Sequence, residues 1–217
     1  MKQDDTKKKI LDCALELFSS RGYDSVSVGE IAKAVGIKAP SLYNHYSGKQ
    51  AIFDAIVEDT AVQYEKYTNE IDIHLQNAKK DTDVFSGITE DLLAKKVRQI
   101  FCFSLRNKAV SRFRRMMTIE QFRCPNLSEL YSARYVEQLV TYHSEIFKSL
   151  IASGALKAEN PDSLALMYVA PLSRCLAFAT ASRSVRRNAS KSWTHMCACF
   201  SAPFTFRKIS ANNWRRN

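Results

Sequence analysis

The chain has 217 residues, of which 46% are hydrophobic, and it contains only 6 glycines and 5 prolines. This composition favours a helical globular protein with one or two modest domains and a real core. No run approaches the roughly 18 apolar residues of a membrane span, and the amino terminus lacks the apolar segment of a signal peptide. The sequence therefore predicts an all-α cytoplasmic protein that does not bind a membrane.

The net charge of +10 belongs mainly to the carboxyl end of the chain. All 22 acidic residues lie at or before Asp162, whereas nine of the 32 basic residues follow Leu172. The first 171 residues are close to neutral, so the overall charge does not by itself indicate specific DNA recognition. The 6 cysteines show no disulfide spacing, and we expect free thiols in a reducing compartment.

Residues 6–20 have apolar side chains at helical spacing and predict a first helix. Gly22 follows at the position where a glycine typically ends a helix. Residues 1–5 are predicted to be a frayed arm. The buried face of this helix is expected to consist of Ile10, Ala14, Leu17 and Phe18.

A second helix is predicted over residues 28–35 because its start carries a complete local signal. Ser27 and Glu30 have the S-x-x-E spacing of a capping box, in which each side chain bonds the other residue's backbone amide. Val26 and Ile31 are placed to form the hydrophobic staple of the same motif. Residue 28 is therefore the expected first residue of this helix.

A tight turn and a short third helix follow. Gly36 supplies the backbone freedom that ends the second helix, and Pro40 suits the first turn of a helix over residues 39–45. Leu42 is expected to point inward, leaving polar and aromatic side chains outside. This arrangement over residues 27–46 is typical of a DNA-binding helix-turn-helix. A helical hairpin within an all-α core is the alternative.

Three motifs make the comparison more specific: ILDCALELFSSRGYD at 10–24, SVGEIAKAVGI at 27–37 and SLYNHYSGK at 41–49. Residues 6–49 thereby resemble the DNA-binding domain of the tetracycline-repressor (TetR/AcrR-like) family of bacterial transcriptional regulators. In that family the recognition helix ends in L-Y-x-H-F/Y, followed shortly by a lysine. The matching residues here are Leu42, Tyr43, His45, Tyr46 and Lys49.

Nine residues are candidate DNA contacts, and exposure without a role is the alternative for each. Ser27 is a candidate contact to the phosphate backbone because its hydroxyl group can donate a hydrogen bond. The resemblance adds Tyr43, His45 and Lys49 as candidate phosphate contacts. The side chains that can reach base edges or thymine methyl groups, some of which also reach phosphates, are Lys38, Ala39, Pro40, Ser41 and Asn44.

The resemblance implies a DNA-binding domain at residues 1–48 and a larger helical regulatory and dimerisation domain at 49–217. The implied protein is a homodimer that binds an inverted-repeat operator and responds to an unknown small-molecule effector. A long helix over 49–70 would transmit the effector's binding to the recognition helices. The remaining predicted elements are a loop at 77–90, helices at 89–106, 108–117 and 127–153, and a helix from Asn160-Pro161 kinked at Pro171.

An apolar effector pocket is expected between these later helices, although aromatic and methionine side chains at helical spacing are more often core. His143 is interpreted as a core or surface residue and not as a metal ligand. The candidate pocket residues are Phe101, Phe103, Phe113, Met116, Met117, Phe122, Tyr131 and Tyr135.

The end of the chain, residues 173–217, departs from the family pattern of a charged final helix. Three explanations are a tail translated in a shifted reading frame, a divergent end and a partly disordered extension, of which we favour the first or the last. The only ligand-like cluster is His195, Cys197 and Cys199, which lacks a second ligand pair for a metal.

No residue pattern predicts catalysis, and no cofactor is expected. The sequence therefore predicts a transcriptional regulator, by family habit a repressor. The competing class is a helical scaffold whose basic tail binds nucleic acid or membrane without sequence preference.

Overall fold

The computed structural model describes residues 2–123, 125–154, 156–157 and 160–181. Every regular element in this part of the chain is helical, which confirms the all-α prediction. The helices are α1 (Lys2–Arg21), α2 (Val28–Val35), α3 (Ala39–Tyr43), α4 (Lys49–Glu70), α5 (Ala78–Ser86), α6 (Glu90–Arg106), α7 (Lys108–Glu120), α8 (Pro125–Ser132), α9 (Gln138–Ala152) and α10 (Pro161–Ala181), with a π-helical turn at Ala133–Glu137.

The amino-terminal helices agree closely with the prediction. Helices α2 and α4 have the predicted bounds. Gly22 follows the last residue of α1 and has a φ of 91°. The predicted frayed arm is wrong, because α1 already begins at Lys2. Residues 2–5 contain no glycine or proline, and acidic residues near a helix start favour its positive end, so these residues extend the helix back to Lys2.

The core of the amino-terminal helices includes a helix from later in the chain. Phe113 and Met117 of α7 are completely buried, in one cluster with Ile10 and Phe18 of α1. Hydrophobic burial of this kind is the main stabilising contribution to a helical core. The core therefore continues across residue 48, where the sequence predicts a domain boundary.

The predicted loop at 77–90 is wrong, because most of it is helix α5. Asn77 caps this helix by accepting a hydrogen bond from the Lys80 amide at 3.2 Å. Asp81 is completely buried and accepts hydrogen bonds from the His74 amide at 2.6 Å and from the Tyr142 hydroxyl. The polar composition that suggested a loop instead supplies a cap and a buried network.

The predicted single helix over 127–153 is interrupted by the π-helical turn at Ala133–Glu137. It ends at Gly154, whose φ is 74°, as predicted. Asn160 accepts a hydrogen bond from the Ser163 amide at 2.9 Å and so caps α10, which contains Pro171. Helices α9 and α10 pack along each other around a second core that contains Tyr142, Ile146, Tyr168 and Val169.

Helix α10 is apolar but poorly buried. Residues Pro161–Thr180 have a mean hydropathy of 1.3, and only 28% of this segment is buried. By length and composition alone it is able to cross a membrane. The prediction from uninterrupted apolar runs missed it because Asp162 and Arg174 break the run.

Helix α10 also continues past Leu172, where the sequence departs from the family pattern. The predictions for residues 182–217, including the cluster of His195, Cys197 and Cys199, lie outside the described residues.

Candidate nucleic-acid interface

The start of α2 is held by the predicted capping box. Ser27 Oγ accepts a hydrogen bond from the Glu30 amide at 3.2 Å, and Glu30 Oε2 accepts one from the Ser27 amide at 2.8 Å. The Ser27 hydroxyl also donates to Glu30 Oε2 at 2.9 Å. These bonds, together with Arg21 at 2.7 Å from Glu30 Oε1, lower the pKa of Glu30 to about 2. The carboxylate therefore ties α2 to the end of α1.

The turn between α2 and α3 is built as the sequence predicts. Gly36 has a φ of 83°, a left-handed conformation that favours glycine, and its amide donates to the Ala32 carbonyl at 3.0 Å. The Ile37 amide donates to the same carbonyl at 3.0 Å. Pro40 lies in the first turn of α3, and Leu42 is completely buried beneath it. This single anchor fixes the orientation of the short helix.

Helix α3 ends at Tyr43, two residues before the predicted end at His45. The amides of His45 and Tyr46 both donate to the Leu42 carbonyl, at 2.9 and 3.1 Å, so the helix closes in a tighter turn. Asn44 is exposed at this end. Helix α3 thus projects a short ridge from the protein surface.

The ridge exposes most of the candidate DNA contacts. Tyr43 has 54% of its surface exposed although it is aromatic, and Ala39 and His45 are half-buried. The His45 Nδ1 atom is buried and makes no hydrogen bond within the described part of the chain. The other exposed residues of the ridge are Lys38, Pro40, Ser41 and Asn44.

Lys49, the candidate phosphate contact at the start of α4, lies against the turn between α1 and α2. Its ammonium donates to the Tyr23 carbonyl at 3.1 Å and stands 4.4 Å from the centroid of the Tyr23 ring. The Tyr23 hydroxyl in turn donates to Gln50 Oε1 at 3.0 Å. Lys49 therefore braces α4 against this turn, a role for which its sequence position gives no signal.

Two neighbouring cavities lie among helices α4 to α10, and they only partly involve the predicted pocket residues. The larger, of about 400 Å³, is bounded by α4, α7, α10 and the π-helical turn, and Tyr135 lines it. The smaller, of about 90 Å³, is lined by Phe101 and by His143. His143 Nδ1 lies 2.8 Å from the Leu139 carbonyl, and burial lowers the pKa of this histidine to about 4.

The other predicted pocket residues lie elsewhere. Phe113, Met116 and Met117 are buried in the core beside α1, where they pack against other helices and leave no surface free to line a cavity. Phe103 stacks on Tyr67 with ring centroids 3.9 Å apart, and Phe122 is 87% exposed. Tyr131 packs at the edge of the core. Helical spacing alone did not distinguish core from cavity.

Comparison with known proteins agrees with this geometry at the amino terminus. Residues 10–56 match the family described as bacterial regulatory proteins, tetR family. The negative transcriptional regulator IcaR of the biofilm operon icaADBC of Staphylococcus epidermidis is 47% identical over 53 residues. That match covers 24% of this chain and 29% of IcaR, so the similarity spans less than a third of the relative.

Two solved structures share the overall fold. A TetR-family transcriptional regulator of Mesorhizobium loti superimposes with a TM-score of 0.56 and 20% identity, over 92% of this chain and 98% of its own. A transcriptional regulator of Saccharomonospora viridis in complex with choline gives a TM-score of 0.64 with 14% identity, over 92% and 97% of the two chains. At such identities the likeness concerns the fold alone.

Proposed function

We propose that this chain is a sequence-specific, DNA-binding transcriptional regulator, because residues 10–56 match the family described as bacterial regulatory proteins, tetR family, and 53 residues of the chain are 47% identical to IcaR. It acts in the cytoplasm as a homodimeric repressor and releases its operator when a small-molecule effector binds. The proposal divides the chain into a DNA-binding domain at residues 1–48 and a regulatory domain from residue 49. It assigns no catalytic activity.

The observation that carries the proposal is the form of α3. This short helix is anchored by one buried leucine, Leu42, and exposes Lys38, Ser41 and Tyr43 on its outer side. A recognition helix inserted into the major groove needs such a projecting ridge, because side chains read base edges only at short range. In the proposed complex Lys38, Ala39, Pro40, Ser41 and Asn44 face the bases.

The proposed phosphate contacts surround this ridge. Ser27, Tyr43, His45 and Lys49 would set the register of the protein on the duplex. Ser27 and Lys49 already hydrogen-bond within the protein, through the capping box and through the Tyr23 carbonyl. Their contacts with phosphate therefore require the hydroxyl hydrogen and the ammonium to turn outward on binding.

An exposed stripe on α10, apolar apart from Arg174, supports self-association. Met167 and Phe178 are 60% and 62% exposed, and their spacing places them on nearly the same side of the helix. Covering this stripe with a second copy would pair two recognition helices. Two such helices bind adjacent half-sites when they lie one DNA turn, about 34–36 Å, apart.

The cavity beside α4 supports control by an effector. Thr60, Ala61 and Tyr64 of α4 line it, and the same helix begins at Lys49 beside the DNA-binding domain. A ligand that fits one orientation of α4 better than another shifts the population toward that orientation. The choline complex of the Saccharomonospora viridis regulator shows that one protein of this fold holds a small molecule.

The test is a selection of DNA duplexes from a random pool with the purified full chain, followed by affinity measurements on the enriched site. We expect an inverted repeat. Lys38→Ala with Tyr43→Ala should abolish this site-specific binding, because the pair removes one side chain that faces the bases and one that contacts the phosphate backbone. Lys148→Ala, an exposed lysine on α9, is the matched control.

The alternative gives a different pattern. A helical scaffold with a basic tail would bind every duplex with similar, steeply salt-dependent affinity. The double substitution in α3 would then leave the affinity nearly intact. That result, or the absence of any enriched motif, would overturn the regulator proposal.

A further inference from the structure

The larger cavity carries an unusual set of charges for its size. Its volume of about 400 Å³ lies within the range of small-molecule sites, and its walls are mostly aliphatic and aromatic. Among the described lining residues, Arg114 and Arg134 bring two guanidinium groups, whereas Glu65 brings the one carboxylate. Glu65 is exposed, while Arg114 is only 5% exposed. Positive charge therefore predominates among the groups that line this cavity.

Arg114 is held firmly at the wall of the cavity. Its Nε donates to the Thr180 hydroxyl at 2.8 Å, and its Nη1 donates to the Ser104 carbonyl at 2.7 Å. Both partners are themselves buried. These bonds join α7 to α6 and α10 and fix the plane of the guanidinium, so its charge stays at the cavity wall.

The π-helical turn brings two further polar side chains to the same wall. Ala133–Glu137 contains Arg134 and Tyr135, both of which line the cavity. Arg134 stands over the Phe113 ring at 5.4 Å, a contact that supports its guanidinium without neutralising it. Single π turns inside α-helices cost helical hydrogen bonding and occur frequently at functional sites. The position of this turn is an observation independent of the charges that line the cavity.

Two tyrosines complete the polar side of the cavity. Burial raises the pKa of Tyr135 to about 12 and raises the pKa of Tyr64, while the nearby Arg114 and Arg134 oppose both shifts. The positive field of the guanidiniums thus reaches both hydroxyl groups. Both phenols remain protonated at neutral pH and keep a hydrogen to donate.

We propose that this cavity binds an organic anion, a carboxylate with an apolar aliphatic or aromatic body. The carboxylate would accept hydrogen bonds from Arg134 and the Tyr135 hydroxyl within the field of Arg114. The apolar body would fill the space lined by side chains such as Leu75, Leu130 and Leu139. This inference rests on the proposed function, since it names the chemical class of the effector.

The test compares matched acids and amides by calorimetric titration of the purified full chain. The pairs are 4-phenylbutanoate with 4-phenylbutanamide, and octanoate with octanamide; each pair keeps the shape of the ligand and removes its charge. Choline serves as the cationic probe. We expect each acid that binds to bind at least about tenfold tighter than its amide, and choline not to bind.

Arg134→Gln locates the charge preference within the protein. This half-buried side chain is easier to replace than the buried Arg114. The substitution should weaken acid binding about tenfold and leave amide binding unchanged, because it removes one charged donor. Arg98→Gln, an exposed arginine on α6 that does not line the cavity, makes the same charge change as a control.

Equal affinity for acids and amides, binding of choline, or binding of neither acid at millimolar concentration would each overturn the inference. The wild-type comparison does not depend on any variant folding. If the protein selects an operator but binds neither acid, the inference about the cavity is refuted and the regulator proposal stands. If the protein binds the acids but selects no operator, the regulator proposal is refuted and the inference of an anion-binding cavity stands.

Discussion

The carboxylate of Glu120 accepts a hydrogen bond of 3.1 Å from the backbone amide of Tyr23, a residue 97 positions earlier in the chain. Glu120 is buried at the end of α7, and Tyr23 lies in the turn between α1 and α2. The same turn receives the Lys49 ammonium from α4. Helices α4 and α7, which line the larger cavity and also pack on α1, therefore both contact this one turn.

Gly22 makes this contact possible, and Gly22→Ala should be destabilising. An added Cβ would lie 2.6 Å from Glu120 Oε1, and the φ of 91° disfavours any side chain. We expect a loss of about 2 kcal/mol in the free energy of unfolding, measured with urea.

A double-mutant cycle separates the two causes. Glu120→Ala removes the clashing oxygen but leaves the backbone strain at Gly22. The cost of Gly22→Ala should fall by more than about 0.5 kcal/mol in that background. Equal costs in both backgrounds would show that the carboxylate does not limit this position.

Asp81→Ala should strongly destabilise the packing of α5 on α9. The change leaves the Tyr142 hydroxyl and the His74 ring nitrogen, which lies 2.6 Å from Asp81 Oδ1, without their buried acceptor. We expect a loss of about 3 kcal/mol in chemical denaturation and faster hydrogen exchange in α5. The control is Asp83→Ala, an exposed acid on the same helix, for which a change within about 0.5 kcal/mol is expected.

The free energy of unfolding should decrease as the pH is lowered from 6.5 to 4, partly because of His143. Burial among aromatic rings lowers its folded pKa from 6.5 to about 4. Within this window the unfolded chain binds the proton and the folded chain does not, so acid favours unfolding. The contribution reaches about 3 kcal/mol at pH 4.

His143→Phe tests this linkage. The ring lies 4.7 Å from that of Tyr168 and 5.0 Å from that of Tyr142, so phenylalanine suits its surroundings. Unfolding free energies measured across the window should decline less steeply in the variant than in the wild type. Parallel curves would mean that His143 titrates normally in the folded protein.

Substitution of the apolar stripe on α10 should separate the proposed dimer. Met167→Lys with Phe178→Lys places charges where a partner would exclude water, and the dissociation constant should rise more than about tenfold. Sedimentation of the full chain measures this change. Phe122→Lys alters another highly exposed aromatic residue and should leave the assembly intact. A dimer unaffected by the double substitution would place the interface elsewhere.

The amino-terminal helices were predictable because their signals are local. Ser27 and Glu30 are three residues apart, and Gly36 acts on the carbonyl groups of the turn just before it. Capping of this kind contributes about 1 kcal/mol within a few residues, whatever the rest of the chain does. The bounds of α2 followed from such signals alone. The apolar position of Leu42 within a polar segment likewise predicted the buried anchor of α3.

Tertiary structure decided the features that depend on distant partners. Asp81 joins a buried network only because Tyr142, 61 positions later, meets it, so its polar segment resembled a loop in sequence. The core and cavity residues of the later helices share one helical spacing, and only packing separates Phe113 from Tyr135. Local sequence determines where a helix starts and stops, because capping acts within one turn. Which of its faces meets another helix, a cavity or solvent depends on contacts between residues that are far apart in the chain.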